Sequence, residues 1–274
     1  MSLVRAAAYA VLLVAVGSPI AGIADDSQDG PKVRARLVAE RSNPAPGESL
    51  LLGVHFVIDD GWHIYWRYPG DAGLATEIRW QLPEGWAAGP LLWPVPISFV
   101  QSGDLAGYGY EDEVVLASEV VIGAGALSEN IGAEVSWLAC RDVCVAGSAK
   151  LEAAVDEIPV EPTMGEWRTE LPQPLPDGEP PFEWRTTGGF GDGRLNLWLR
   201  WPDSAPKVEW YPDPPEAIEV QDVRIGSRAS LTRIDAAVRR RAGVKNIDTL
   251  SSLVVVTAAD GSRRAWELEL AVDD

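Results

Sequence analysis

The chain has 274 residues, with 23 lysines and arginines against 41 aspartates and glutamates, two histidines, two cysteines and twelve tryptophans. A net charge of −18 excludes a general nucleic-acid binder, because gripping a phosphate backbone needs clustered Lys and Arg. Two histidines, no glycine-rich phosphate loop ahead of a helix and no Gly-x-Ser-x-Gly elbow leave hydrolase and nucleotide chemistry without residues to build on.

The N-terminus reads as an export signal covering residues 1–24. Arg5 supplies the positive start, Ala6 to Val16 the apolar stretch, and Gly22-Ile23-Ala24 the small residues before a cut after Ala24. The apolar stretch is short of the roughly 20 residues a spanning helix needs, and no later stretch is long or apolar enough to span a bilayer. Cleavage removes Arg5 alone among the charged residues, leaving 22 basic against 41 acidic side chains and a charge of −19. The expected location is periplasmic.

Residues 25–158 carry short alternating runs. In Leu51 to Ile58, the side chains of Leu52, Val54, Phe56 and Ile58 share one face while His55 points the other way. Val114 to Ile122, Ala133 to Cys140 and Ala149 to Val155 follow the same pattern. Asn43-Pro44, Asp59-Asp60-Gly61, Pro69-Gly70-Asp71 and Pro83-Glu84-Gly85 mark turns between strands. The pattern predicts an antiparallel β-sandwich.

Seven prolines between Pro159 and Pro181 resist both helix and central strand, which predicts a stiff linker over 159–181 with a short helical turn near Gly165 to Glu170. Strands resume in 182–274, at Arg194 to Trp201, Ile218 to Ile225, Ser252 to Ala258 and Arg264 to Val272. A second, smaller β-sandwich is expected there. Gly188 to Gly193 is glycine-rich but leads into a strand and reads as a turn.

The chemistry rests on Cys140 and Cys144, with Arg141-Asp142-Val143 between them. A gap of three residues allows the Cα atoms to come within the roughly 7 Å a disulfide requires. As a staple, the bond closes a loop of about five residues and contributes roughly 2 kcal/mol in the chain-entropy estimate. Arg141 favours a thiolate and Asp142 opposes it. Spacing alone therefore leaves a structural bond and a redox reagent both open. Copper(I) on the two sulfurs is a third reading. A closed zinc site needs four ligands, and His55 and His63, the only histidines, read as ordinary strand residues. A non-enzymatic protein-binding module, with Trp198 and Trp210 as exposed aromatics and the bond as a mere staple, is the remaining alternative.

Several motifs surround the pair in order: Gly61-Trp62-His63-Ile64-Tyr65-Trp66, Pro69-Gly70-Asp71-Ala72-Gly73, Ile78-Arg79-Trp80, Trp93-Pro94-Val95-Pro96, Tyr108-Gly109-Tyr110 and Trp137-Leu138-Ala139-Cys140 ahead of Cys144. Over roughly residues 33–158 the chain resembles the periplasmic N-terminal domain of the thiol:disulfide interchange protein family (DsbD), and within it the branch associated with suppression of copper sensitivity. The resemblance implies an immunoglobulin-like redox module, with a second sandwich following the first, and processes such as cytochrome c biogenesis or copper tolerance. Its disulfide takes electrons from a membrane-embedded partner and passes them to oxidised periplasmic proteins of thioredoxin fold. No cofactor or metal is called for. By the same resemblance Cys144 forms the mixed disulfide with the client and Cys140 resolves it, while a cap loop over about 99–110 shields the sulfurs through Phe99, Tyr108 or Tyr110. Plain strand packing is the competing role for both tyrosines. Family members continue into a multi-helix membrane domain and usually a thioredoxin-like domain. Neither is seen here, so the expected donor is separately encoded. Val145-Ala146 stands where relatives often have Ile-Pro.

Overall fold

Strong β-formers in period-two patterns have no way to bury one face except against another sheet, and the chain answers this twice. In the computed structural model the described residues are 33–272 apart from 102, 125–128, 163, 177, 216 and 242–246; the expected export signal lies outside them. Ten strands build the first sandwich: β1 (Val33–Ala39), β2 (Ser49–Ile58), β3 (His63–Gly70), β4 (Glu77–Gln81), β5 (Ala87–Leu92), β6 (Ile97–Gln101), β7 (Leu105–Tyr110), β8 (Glu113–Val121), β9 (Asn130–Cys140) and β10 (Cys144–Ala154). One sheet runs β1-β2-β8-β5; the other runs β10-β9-β3-β7-β6, with β4 also pairing β9. Leu52, Val54 and Phe56 of β2 face Ile64, Trp66, Val135, Trp137 and Ala139 of the opposing sheet to form the core. Phe56 meets Trp137 edge to face, with centroids 5.8 Å apart.

The second sandwich follows a one-turn helix α1 (Met164–Trp167) and a two-residue strand β11 (Gln173–Pro174). Its strands are β12 (Glu183–Gly189), β13 (Arg194–Arg200), β14 (Lys207–Asp213), β15 (Ile218–Arg228), β16 (Leu231–Arg240), β17 (Thr249–Thr257) and β18 (Arg263–Ala271). They form two four-stranded sheets, β11-β18-β17-β14 and β12-β13-β16-β15. Apart from the short parallel pairing of β11 with β18, every ladder is antiparallel. The architecture is all-β: two immunoglobulin-like sandwiches.

The Pro-rich connection is held along its length. Ala39 N–H donates to the Pro159 carbonyl and Glu161 N–H to the Ala39 carbonyl, so the chain leaves the first sandwich alongside β1. Met164 and Trp167 then pack on Val38, Leu51, Val115 and Ala117, the outward side chains of β1, β2 and β8, and the Trp167 indole N–H donates to the Val115 carbonyl at 2.9 Å. This cover explains why β2 is buried on both faces rather than alternating. His55 faces the same side: Arg36 donates to its Nδ1 at 2.8 Å, so its Nε2–H donates to Glu113 at 3.0 Å, and the residue serves as a polar tie.

The two sandwiches share an aromatic interface. Tyr211, Leu253, Val255 and Ala265 of the second join the first sandwich's core cluster. Tyr211 lies edge-on to Tyr108 at 5.3 Å and to Trp66 at 6.3 Å. Arg67 pairs with Asp213 at 2.7 Å beside it.

Candidate functional site

Three neighbouring strands place Cys144, Cys140 and His63 side by side. Cys140 ends β9 directly opposite Cys144, the first residue of β10, and on its other flank it is in register with His63 of β3. Residues opposed in an antiparallel ladder project from the same face. Val135, Trp137 and Ala139 point into the core, so Cys140 and its neighbours stand on the outer face of the sheet. The cysteines are joined as a disulfide across the hairpin neck, with Cα atoms 4.1 Å apart.

The two sulfur-bearing residues differ sharply in access. Cys140 is 1 % exposed, whereas Cys144 opens an edge strand and is exposed. Arg141 reaches back over the Trp62 ring, 5.0 Å from its centroid, and pairs with Asp142 at 3.4 Å, which brings the turn before β3 against the hairpin loop.

An aromatic group covers the inner end of this row. Phe99 of β6 stacks on the His63 imidazole with centroids 3.8 Å apart, and Tyr65 lies edge-on to both, 5.4 Å from His63 and 5.9 Å from Phe99. The Tyr65 hydroxyl donates to Gln101 at 2.6 Å, and Gln101 donates on to the Ala72 carbonyl at 3.3 Å. For Phe99 to reach His63 it must cross β7, and it does so over Gly107. A Cβ at that position would sit 2.1 Å from the Phe99 ring. Burial holds the His63 imidazole down at about 4, so it is neutral at physiological pH. Desolvation also pushes the Tyr65 hydroxyl above its ordinary value.

Of the residues expected to cap the sulfurs, Phe99 is on the disulfide's face and Tyr108 and Tyr110 are not. Strand alternation turns both tyrosines to the core side of β7. Tyr110 donates to the Pro94 carbonyl at 2.8 Å, and Tyr108 packs on Tyr68 and Tyr211. Their role is packing, and burial raises both hydroxyl pKa values. His63 was expected to be an ordinary strand residue, yet it borders Cys140. The alternation of His63 and Tyr65 against Ile64 and Trp66 was the available signal; the partner strand was not readable. Trp62 and its contact with Arg141 also had no local signature. Among the described residues, no three His, Cys, Asp or Glu side chains gather as a metal-holding group.

The chemistry this arrangement supports is exchange at an exposed sulfur backed by a shielded one. Comparisons with known proteins point the same way. Residues 34–156 match the family described as "Thiol:disulfide interchange protein DsbD, N-terminal". No curated protein matches the chain in sequence. The fold is similar to the crystal structure of the N-terminal periplasmic domain of ScsB from Proteus mirabilis, with a TM-score of 0.70 and 21% identity, over 90% of this chain and 97% of that one. The likeness spans both sandwiches, and the family match covers the one that carries the disulfide. The likeness to DsbD N-terminal domains thus rests on residues 34–156, the stretch that carries both cysteines.

Proposed function

We propose that the chain is an exported thiol:disulfide interchange module that relays two electrons from a separately encoded, membrane-embedded dithiol partner to oxidised periplasmic proteins of thioredoxin fold. The single observation that carries this is the unequal exposure of the two residues in one disulfide, Cys144 open and Cys140 shielded, within a DsbD-family domain.

In the loading step a thiolate of the donor attacks the exposed Cys144 sulfur, and the Cys140–Cys144 bond breaks. Cys140 leaves as a thiolate and takes up a proton. The donor's second thiolate then cleaves the mixed disulfide, leaving the donor oxidised and both cysteines reduced. In the unloading step Cys144 thiolate attacks a client disulfide and releases one client thiolate. Cys140 loses its proton and attacks the Cys144 sulfur, which re-forms the internal bond and frees the second client thiolate. Two electrons have moved from module to client, and the released client thiolates take up protons from solvent, which also receives the one Cys140 gave up. Cys140 is buried beside His63, which suits it to act from within, on the Cys144 sulfur, rather than on an incoming protein. Cys144, exposed at the start of an edge strand, is the one that donor and client can reach. Phe99 limits stray reaction at the inner sulfur. Exposed Val143 and Val145 beside Cys144 offer apolar contact to a client. Residues 1–24 direct export to the periplasm and are removed after Ala24.

A redox titration of the mature chain tests the reading. The expected midpoint lies above about −300 mV, and a lower value marks an inert structural bond. In a Cys140→Ser variant, Cys144 is expected to trap a mixed disulfide with an oxidised thioredoxin-fold protein.

A further inference from the structure

The β6–β7 hairpin has one side toward the disulfide's face and the other toward the second sandwich. Its outer side carries Phe99 against His63, and its inner side carries Tyr108 against Tyr211. The chain leading into β6 is tethered at three consecutive residues by three different elements. The Pro94 carbonyl accepts from Tyr110, the Val95 N–H donates to the Glu170 carbonyl of the connecting segment, and the Pro96 carbonyl accepts from Arg263 of the second sandwich at 2.8 Å. Prolines 94 and 96 have no N–H, so these bonds engage the donors and acceptors the Pro-Val-Pro run offers. Arg263 is itself fixed by Glu209 at 3.2 Å and the Tyr211 hydroxyl at 3.0 Å, and Ser98 of β6 lies two residues beyond Pro96. Phe99 is the next residue.

We propose that Arg263 and Tyr211 are positioning residues for the redox pair: they hold β6 so that Phe99 stays on His63 beside Cys140, and the second sandwich thereby sets how readily the disulfide is reached. This deepens the interchange reading by naming the regulation of the same site. A second sandwich that only adds mass needs no charged side chain delivered to the base of the hairpin next to the disulfide.

The experiment uses the full mature chain, with dithiothreitol as the only reductant and no client protein. Arg263→Ala is expected to raise the second-order rate of disulfide reduction about tenfold, equivalent to about 1.4 kcal/mol in an opening equilibrium. It should also shift the His63 ring protons as the Phe99 ring current is lost. Tyr211→Phe, which keeps the packing and removes one hydroxyl, should move both readouts in the same direction by a smaller factor, which guards against a variant that fails to fold. In a Phe99→Ala background the Arg263→Ala change should add nothing further. Unchanged rate and unchanged His63 resonances in folded Arg263→Ala and Tyr211→Phe overturn the proposal. A native chain that dithiothreitol reduces but that passes no electrons to an oxidised thioredoxin-fold protein in a separate assay counts against the relay and leaves the variant comparison standing, so the two failures are separable.

Discussion

Phe99 packs against the imidazole of His63 with centroids 3.8 Å apart and the rings tilted by 35°, and His63 stands opposite Cys140 in the ladder between β3 and β9. A residue 41 positions from Cys140 in sequence is thereby brought onto the face of its ladder partner.

The aromatic cover should therefore control reactivity. Phe99→Ala is expected to speed reduction by dithiothreitol about three- to tenfold while leaving the fold intact, since half-buried rings away from the main core contribute modestly to stability. Gly107→Ala should do the same by a different route, because its new methyl has no room beneath the Phe99 ring. Equal rates for both variants and the native chain would show that the ring does not gate the bond.

The two thiols should behave unequally once reduced. In Cys140→Ser, the remaining Cys144 is expected to react with iodoacetamide at least about tenfold faster than Cys140 does in Cys144→Ser, because Cys140 is buried and Cys144 is exposed. Loss of the bond in either variant should lower stability by about 2 kcal/mol at most, as the closed loop is short. Denaturant midpoints of native, reduced and mutant chains measure that part.

Acid should destabilise the protein through His63. The unfolded chain takes up this proton near 6.5 and the native one only near about 4. Between those values the unfolded state binds more protons, so stability is lost as pH falls through the window, by at most about 1.4 kcal/mol per pH unit, and His63 contributes no slope above it. His63→Phe should flatten the urea midpoint between pH 6.5 and 4.5 relative to the native chain. An NMR titration placing the His63 midpoint at 6 or higher would refute the desolvation argument.

Trp167 should be a stability residue despite its place in a Pro-rich connection. It is buried on the outer face of β2 and β8 and donates its indole N–H to Val115. Trp167→Ala is expected to cost about 3 kcal/mol or more, in the range of large-to-small changes in cores. A urea titration monitored by far-UV circular dichroism provides the value.

Much of the fold was legible. Alternation in Leu51 to Ile58 or Arg194 to Trp201 is a local property, and a strand with one apolar face has few ways to bury it. The helical turn near Gly165 also has a local origin, between the prolines that bound it. The cover it places over β2 was not legible, because nothing in its own residues says which sheet it will meet. Tyr108 and Tyr110 show the limit most clearly. Both flank Gly109 in one short run, yet alternation turns them to the core while Phe99, nine residues before Tyr108, is on the disulfide's face.

Composition and order alone determined the acidic, two-sandwich β architecture and the presence of one close cysteine pair, because charge, period and four-residue spacing are written in neighbouring residues. Only the tertiary structure decided which cysteine is open, which histidine borders it and which sandwich braces its cover. Those depend on the register between strands distant in sequence, and a slip of one residue would send every side chain involved to the opposite face.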